Sequence, residues 1–178
     1  MSKMKKQKKF TICCVSRLVR IKEIEYLFEA INHLDINVIL IGGGEKEYVQ
    51  ELRKKAPNNI TFLGYIIHEE MSHYYNYADI FVAKQPFEGW GRTLLEAMSC
   101  GKPIIAASSP RAYKELPFKG WPIQPGDVEG LRNAIIEASK TPKETLKQMG
   151  KANREIILKK FSWDITYEKI LTIIKRCC

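Results

Sequence analysis

The chain has 178 residues, 45% hydrophobic and 28% charged, with 29 Lys+Arg against 20 Asp+Glu for a formal net charge of +9. That length predicts one domain able to bury a core without a disulfide or metal staple, and the balance excludes a disordered or collagen-like chain. No run approaches the roughly 18 consecutive apolar residues that a membrane-spanning helix needs.

The charge is uneven. Residues 1–9 hold five Lys and no acid, residues 140–178 hold ten basic and four acidic residues, and residues 10–139 hold 14 basic against 16 acidic. The centre is therefore not a basic platform, and no specific nucleic-acid partner is expected. Residues 1–9 read as a solvated basic tail ahead of one domain over 10–178. Contact of the basic ends with an anionic membrane surface, or with another polyanion, is the sharper alternative. Only FTICCVS separates the Lys-rich start from Arg17, too short an apolar stretch for a secretory leader. The cysteines fall as Cys13-Cys14, Cys100 and Cys177-Cys178, without the two-residue gap of a zinc knuckle, so no metal site is expected. This usage fits a reducing, cytoplasmic setting, with peripheral membrane association as an option.

In chain order, FTICCV (10–15), INVILI (36–41), ITFL (60–63), DIFVA (79–83) and PIIAA (103–107) have strand length and are almost continuously apolar. Strands covered on both faces read that way. A sixth strand is predicted around 121–123. Between the first two, Ile24, Leu27, Phe28, Ile31 and Leu34 predict a helix over 22–34. Further helices are predicted over 45–55, 68–77, 92–100, 127–139, 143–159 and 163–176. His68 reads as a helix start, His33 and His73 as helix-surface residues. Strand and helix in alternation predict an α/β domain, a Rossmann-like doubly wound parallel sheet.

Such sheets bind ligands beyond the carboxyl ends of their strands, and three loops there stand out. The first strand ends at Val15-Ser16-Arg17-Leu18, with Lys22 opening the next helix. Ile41 runs into Gly42-Gly43-Gly44, and Ala83 into a loop ending Glu88-Gly89-Trp90-Gly91-Arg92. The glycines permit close backbone approach, yet they form neither GxxxxGK[ST] nor GxGxxG. A conventional ATPase and a nicotinamide dehydrogenase are disfavoured. Arg17 and Lys22 could clamp a diphosphate, one as a fork and one as a point charge, or could be two solvated surface cations. Glu88 falls in the loop and Glu96 one turn into the following helix, whose N-terminus at residues 91–93 offers backbone N–H groups to an anion. One carboxylate would then face a sugar's hydroxyls and the other a ribose, with a phosphate between them.

The stretch FVAKQPFEGWGRTLLEAMSCGKPIIAA (81–107) closely resembles the signature of retaining glycosyltransferases of family 4, a Glu, seven residues and a second Glu in the form E-G-[FW]-G-x-x-x-x-E-A-M-x-x-G-x-P. VSRLVRIKEIEYLFEAI, NVILIGGGEKE, ITFLGYI, YNYADIFVA and WPIQPGDVEGL fall in the same family's order. The resemblance implies the C-terminal, donor-binding half of a GT-B fold. By it, Arg17 and Lys22 bind the donor diphosphate and Glu88 hydrogen-bonds and orients the transferred sugar. Trp90, Gly91, Arg92 and Thr93 contact sugar and phosphate, and Glu96 holds the ribose. Gly42 and Gly43 admit the nucleotide, with Tyr65 and Ile66 near the base. The donor is a nucleotide-diphosphate sugar, and neither metal nor cofactor is implied.

The pattern is not followed throughout. Ser16 and Glu23 stand where relatives of this type usually carry Gly, and Ser108-Ser109-Pro110 replace a frequent glycine run, although Glu115 matches. By the resemblance, an N-terminal acceptor-binding domain is expected beside this one, and 178 residues are about half of what the chemistry requires. Two functions follow from the resemblance. One is a glycosyltransferase donor domain completed by a second domain or chain; the other is a non-catalytic nucleotide-sugar-binding or regulatory subunit. An epimerase or phosphorylase relative is a weaker third.

Overall fold

The apolar runs become a six-stranded parallel sheet in the computed structural model, which describes residues 9–83, 91–107 and 116–177. Its strands are β1 (Thr11–Val15), β2 (Asn37–Ile41), β3 (Ile60–Gly64), β4 (Ile80–Ala83), β5 (Ile104–Ala107) and β6 (Gly120–Ile123). They lie in the order β3-β2-β1-β4-β5-β6. Thr11 to Val15 pair in step with Asn37 to Ile41 on one side of β1, and Ile12 to Cys14 with Ile80 to Val82 on the other. The order therefore reverses between β1 and β4, which is the topological switch point of a Rossmann-like sheet.

The helices are α1 (Glu25–Ile31), α2 (Lys46–Lys55), α3 (His68–Tyr77), α4 (Arg92–Ser99), α5 (Val128–Lys140), α6 (Lys143–Lys160) and α7 (Trp163–Cys177). Alternate strand residues meet different helices, which is why the runs had to be apolar throughout. Ile12, Cys14, Val38, Leu40, Ile80 and Val82 pack with α1, α2 and α5. Cys13, Ile39, Ile41, Phe81, Ile104 and Ala106 pack with α3, α4 and α6. Both Cys13 and Cys14 are buried in this core and neither forms a disulfide. Burial, then the neighbouring Cys14, pushes the Cys13 thiol far above its ordinary range.

Asn153, fully buried on α6, fastens the far end of the sheet. Its Nδ2 donates to the carbonyls of Lys102 (2.8 Å) and Lys119 (2.9 Å), and its Oδ1 accepts from the Lys119 N–H at 2.6 Å. One side chain thus ties together the backbone just ahead of β5 and just ahead of β6, where the Lys119 carbonyl also accepts from the Ile104 N–H.

The helix predicted over 22–34 is shorter and broken. Arg20–Lys22 form a 3-10 turn, Glu23 follows in the left-handed region at φ 41°, and α1 occupies only Glu25–Ile31. Lys22 therefore does not open the helix. His33 lies beyond its end at φ 61°, a chain reversal rather than a helix surface. His68 does begin α3, and His73 is exposed on it. No helix among the described residues is long and apolar enough to cross a membrane. Along α7, Trp163, Tyr167, Ile170 and Ile174 recur at helical spacing and are all exposed.

Candidate functional site

Because β1 and β4 diverge in the directions of their connections, a cleft opens at their carboxyl ends. Its volume is about 470 Å³. Among the described residues it is lined by Ser16 and Arg17 after β1, Gly42 and Gly43 after β2, and Tyr65 and Ile66 after β3. His68 and Met71 of α3, and Arg92, Thr93 and Glu96 of α4, complete it. Eight residues singled out from sequence thus converge on one hollow: Arg17, Gly42, Gly43, Tyr65, Ile66, Arg92, Thr93 and Glu96.

The floor is made where the loops after β1 and β2 run together. The Ser16 N–H donates to the Ile41 carbonyl (3.0 Å) and the Leu18 N–H to the Gly43 carbonyl (2.8 Å). Gly42 has φ 138°, and a Cβ there would run into the Ser16 carbonyl oxygen; one at Gly44 would meet that of Leu18. Those two glycines are demanded by the protein's own main chain. Gly43 differs: a Cβ would find only the Tyr65 Cβ at 4.0 Å, so its open face belongs to the cleft.

The cations are placed unequally. Arg17 is exposed at the rim, whereas Lys22 is buried in its 3-10 turn and is not among the lining residues. Across the cleft, Gly91 caps α4 at φ −59°, and no acidic side chain occupies the first turn of that helix. Its first N–H groups and Arg92 make this end electropositive.

Glu96 lies one turn further in and is held from two sides. The Tyr75 hydroxyl donates to its Oε2 at 2.8 Å, and His68 Nδ1 is 3.8 Å from its Oε1. Tyr75 is buried, with its ring edge-on to Phe81 at 5.6 Å between centroids. Burial, then the bond to Glu96 and the charge of that carboxylate, drive the Tyr75 hydroxyl far above the usual phenol range. It stays a donor at any working pH. Sequence reasoning missed both partners. His68, Met71 and Tyr75 sit at helical spacing on α3, which marks one face, but that face reads as ordinary core.

Glu88 and Trp90 lie outside the described residues, as do Ser108, Ser109, Pro110 and Glu115. Among the described residues, no group of three or more His, Cys, Asp or Glu is arranged to hold a metal ion.

The family model of glycosyl transferases group 1 matches residues 2–156. A GDP-mannose-dependent monoacylated alpha-(1-6)-phosphatidylinositol monomannoside mannosyltransferase from Corynebacterium glutamicum is 30% identical, over 92% of this chain and 46% of its own. Among solved structures, sucrose-phosphate synthase from Thermosynechococcus elongatus superposes with TM-score 0.83 at 24% identity, covering 96% of this chain and 46% of that one. Anabaena HepE in complex with UDP-glucose gives TM-score 0.80 at 25% identity, covering 95% and 49%. The sheet and its helices are thus the Rossmann-like half of a GT-B glycosyltransferase fold. The chain spans about half the length of the curated relatives it matches. It belongs to the group 1 glycosyl transferases.

Proposed function

We propose that this chain is the donor-binding half of a retaining, family 4 glycosyltransferase, taking a nucleotide-diphosphate sugar and passing the sugar to an acceptor held by a second domain or chain. The observation that carries this reading is the convergence of Arg17, the N-terminus of α4 and Glu96 on one cleft at the switch point. A cation, a helix end and a carboxylate in that succession suit a diphosphate followed by a ribose. Arg17 and the N–H groups of residues 91–93 hold the diphosphate and stabilise its charge as the sugar departs, with no metal required. Glu96 accepts from the ribose hydroxyls, Gly42 and Gly43 admit the nucleotide, and the base lies by Tyr65 and Ile66. Glu88 and Trp90 face the transferred sugar, an assignment that rests on the E-G-W-G motif alone. Lys22, buried in its own turn and not lining the cleft, is assigned to the diphosphate by the resemblance of the VSRLVRIKEIEYLFEAI segment alone.

The half-length match to relatives supports an acceptor-binding partner. The exposed apolar stripe on α7 and the basic ends are where such a half, or an anionic membrane, would dock. A cytoplasmic location, at most peripheral to a membrane, belongs to the same reading. A non-catalytic nucleotide-sugar-binding subunit would use the same cleft, and turnover separates the two. The relatives' names carry both GDP-mannose and UDP-glucose, so both bases are tested. Calorimetric titration of the chain with GDP, UDP and their sugar conjugates is expected to show saturable binding to one base, and no heat with any of them would refute the reading. Transfer by the chain alone to a simple acceptor is expected to be negligible.

A further inference from the structure

We propose that Tyr75 is a positioning residue for sugar-donor recognition: its hydroxyl, with His68 on the other side, fixes the Glu96 carboxylate so that its free edge meets the two ribose hydroxyls. This rests on the donor-binding reading above.

The packing of Tyr75 does not itself need the hydroxyl. Its ring is in the core of the α3–α4 side of the sheet, edge-on to Phe81, where a phenylalanine would fit as well. A buried hydroxyl without an acceptor is costly, and the acceptor here is Glu96 Oε2, 21 residues along the chain and on another helix. Glu96 carries three side-chain torsions, and its side chain is 27% exposed. Unheld, it would sample several rotamers at the cleft wall. With Oε2 accepting the Tyr75 hydrogen bond and Oε1 facing His68 Nδ1, one orientation is selected before ligand arrives. The ordering that a ligand would otherwise impose is already in place, which is how preorganisation raises affinity. A carboxylate so held presents its remaining lone pairs to neighbouring hydroxyls, the pattern of a ribose 2′,3′-diol.

The test compares GDP and UDP with their 2′,3′-dideoxy counterparts by calorimetry on wild type, Tyr75→Phe, Glu96→Gln and the double variant. Wild type is expected to prefer the ribonucleotide. Tyr75→Phe is expected to lose about tenfold in ribonucleotide affinity, the scale of one hydrogen bond to a charged group, and to keep its dideoxy affinity. The double variant is expected to lose little beyond Glu96→Gln, because the two act as one unit. An equal loss for both ligand types in Tyr75→Phe would mean a merely structural role and would overturn the proposal; so would an unchanged ribose preference. Absence of any binding by wild type would instead remove the donor reading itself, and this inference with it. His68→Gln, at an exposed position, supplies a variant that cannot fail through core packing. A loss of about two- to fivefold confined to the ribonucleotide is expected, the scale of one exposed surface contact, and no change would remove His68 from the arrangement.

Discussion

Gly42 and Ser16 meet main chain to main chain: a Cβ on Gly42 would clash with the Ser16 carbonyl oxygen, and Gly42 holds φ 138°. The loops after β1 and β2 can lie together at the base of the cleft only because that side chain is absent. The same contact sets where Arg17, the next residue after Ser16, leaves the sheet.

Gly42→Ala must therefore push the two loops apart and strain its own backbone. A loss of about 2–4 kcal/mol in unfolding free energy is expected, combining overpacking with a disallowed φ. Urea denaturation measures it. Gly43→Ala, facing open space, should cost far less while still weakening nucleotide binding. Equal stability of Gly42→Ala and wild type would contradict the geometry.

Glu23 stands where the resemblance leads one to expect glycine, and its backbone is left-handed at φ 41°. A non-glycine residue in that region carries strain that glycine does not, partly offset by the greater chain freedom glycine loses on folding. Glu23→Gly is expected to leave stability equal or to raise it by up to about 1 kcal/mol, against the loss normal for glycine substitution. A thermal melt decides it, and a clear drop in Tm would count against the assigned conformation.

Alkaline pH should unfold the protein earlier than its net charge alone suggests. Burial first, and hydrogen bonds to Glu25 and Glu96 next, raise the folded pKa values of Tyr48 and Tyr75; burial raises that of Cys13. Above the ordinary values of 9.0 for Cys and 10.0 for Tyr, the unfolded chain releases protons that the folded chain keeps. The stabilisation is thus complete below about pH 9 and is lost as pH rises beyond it. The urea midpoint is expected to be level from pH 7 to 8.5 and to fall towards pH 10.5. Cys13→Ala should soften the first part of that fall. A level midpoint to pH 10.5 would exclude these groups.

Arg17, Glu96 and Glu88 should separate by what part of the donor they touch. Arg17→Ala and Glu96→Ala are each expected to weaken nucleoside diphosphate binding by about ten- to a hundredfold. Glu88→Ala should leave the nucleoside diphosphate unaffected and remove the extra affinity of the sugar conjugate. Calorimetry with both ligands checks this, and loss of diphosphate binding in Glu88→Ala would reassign that carboxylate.

Much of this architecture was legible in the residues because parallel strands buried on both faces must be apolar throughout. FTICCV and DIFVA show it, Cys13 turning to one helical layer and Cys14 to the other. The loop cluster followed from topology alone, since sheet order decides which strand ends face a common cleft. Periodicity failed over 22–34, where Ile24 to Leu34 keep helical spacing although Glu23 and His33 reverse the backbone: spacing reports which side chains are buried, not whether φ stays negative. It also failed for Lys22, whose type predicts exposure but which is folded into its own turn. Tyr75 was missed for a third reason. An aromatic residue at core spacing announces its ring, whereas its function lies in a hydroxyl whose partner is on another helix.

The most direct measurement is a crystal structure of the chain with the nucleoside diphosphate that binds it. The donor-binding account requires the diphosphate between Arg17 and the first N–H groups of α4, with ribose oxygens within about 3 Å of the Glu96 carboxylate, the length of a hydrogen bond. A nucleotide bound elsewhere, or bound in this cleft with Glu96 turned away from its ribose, would contradict it.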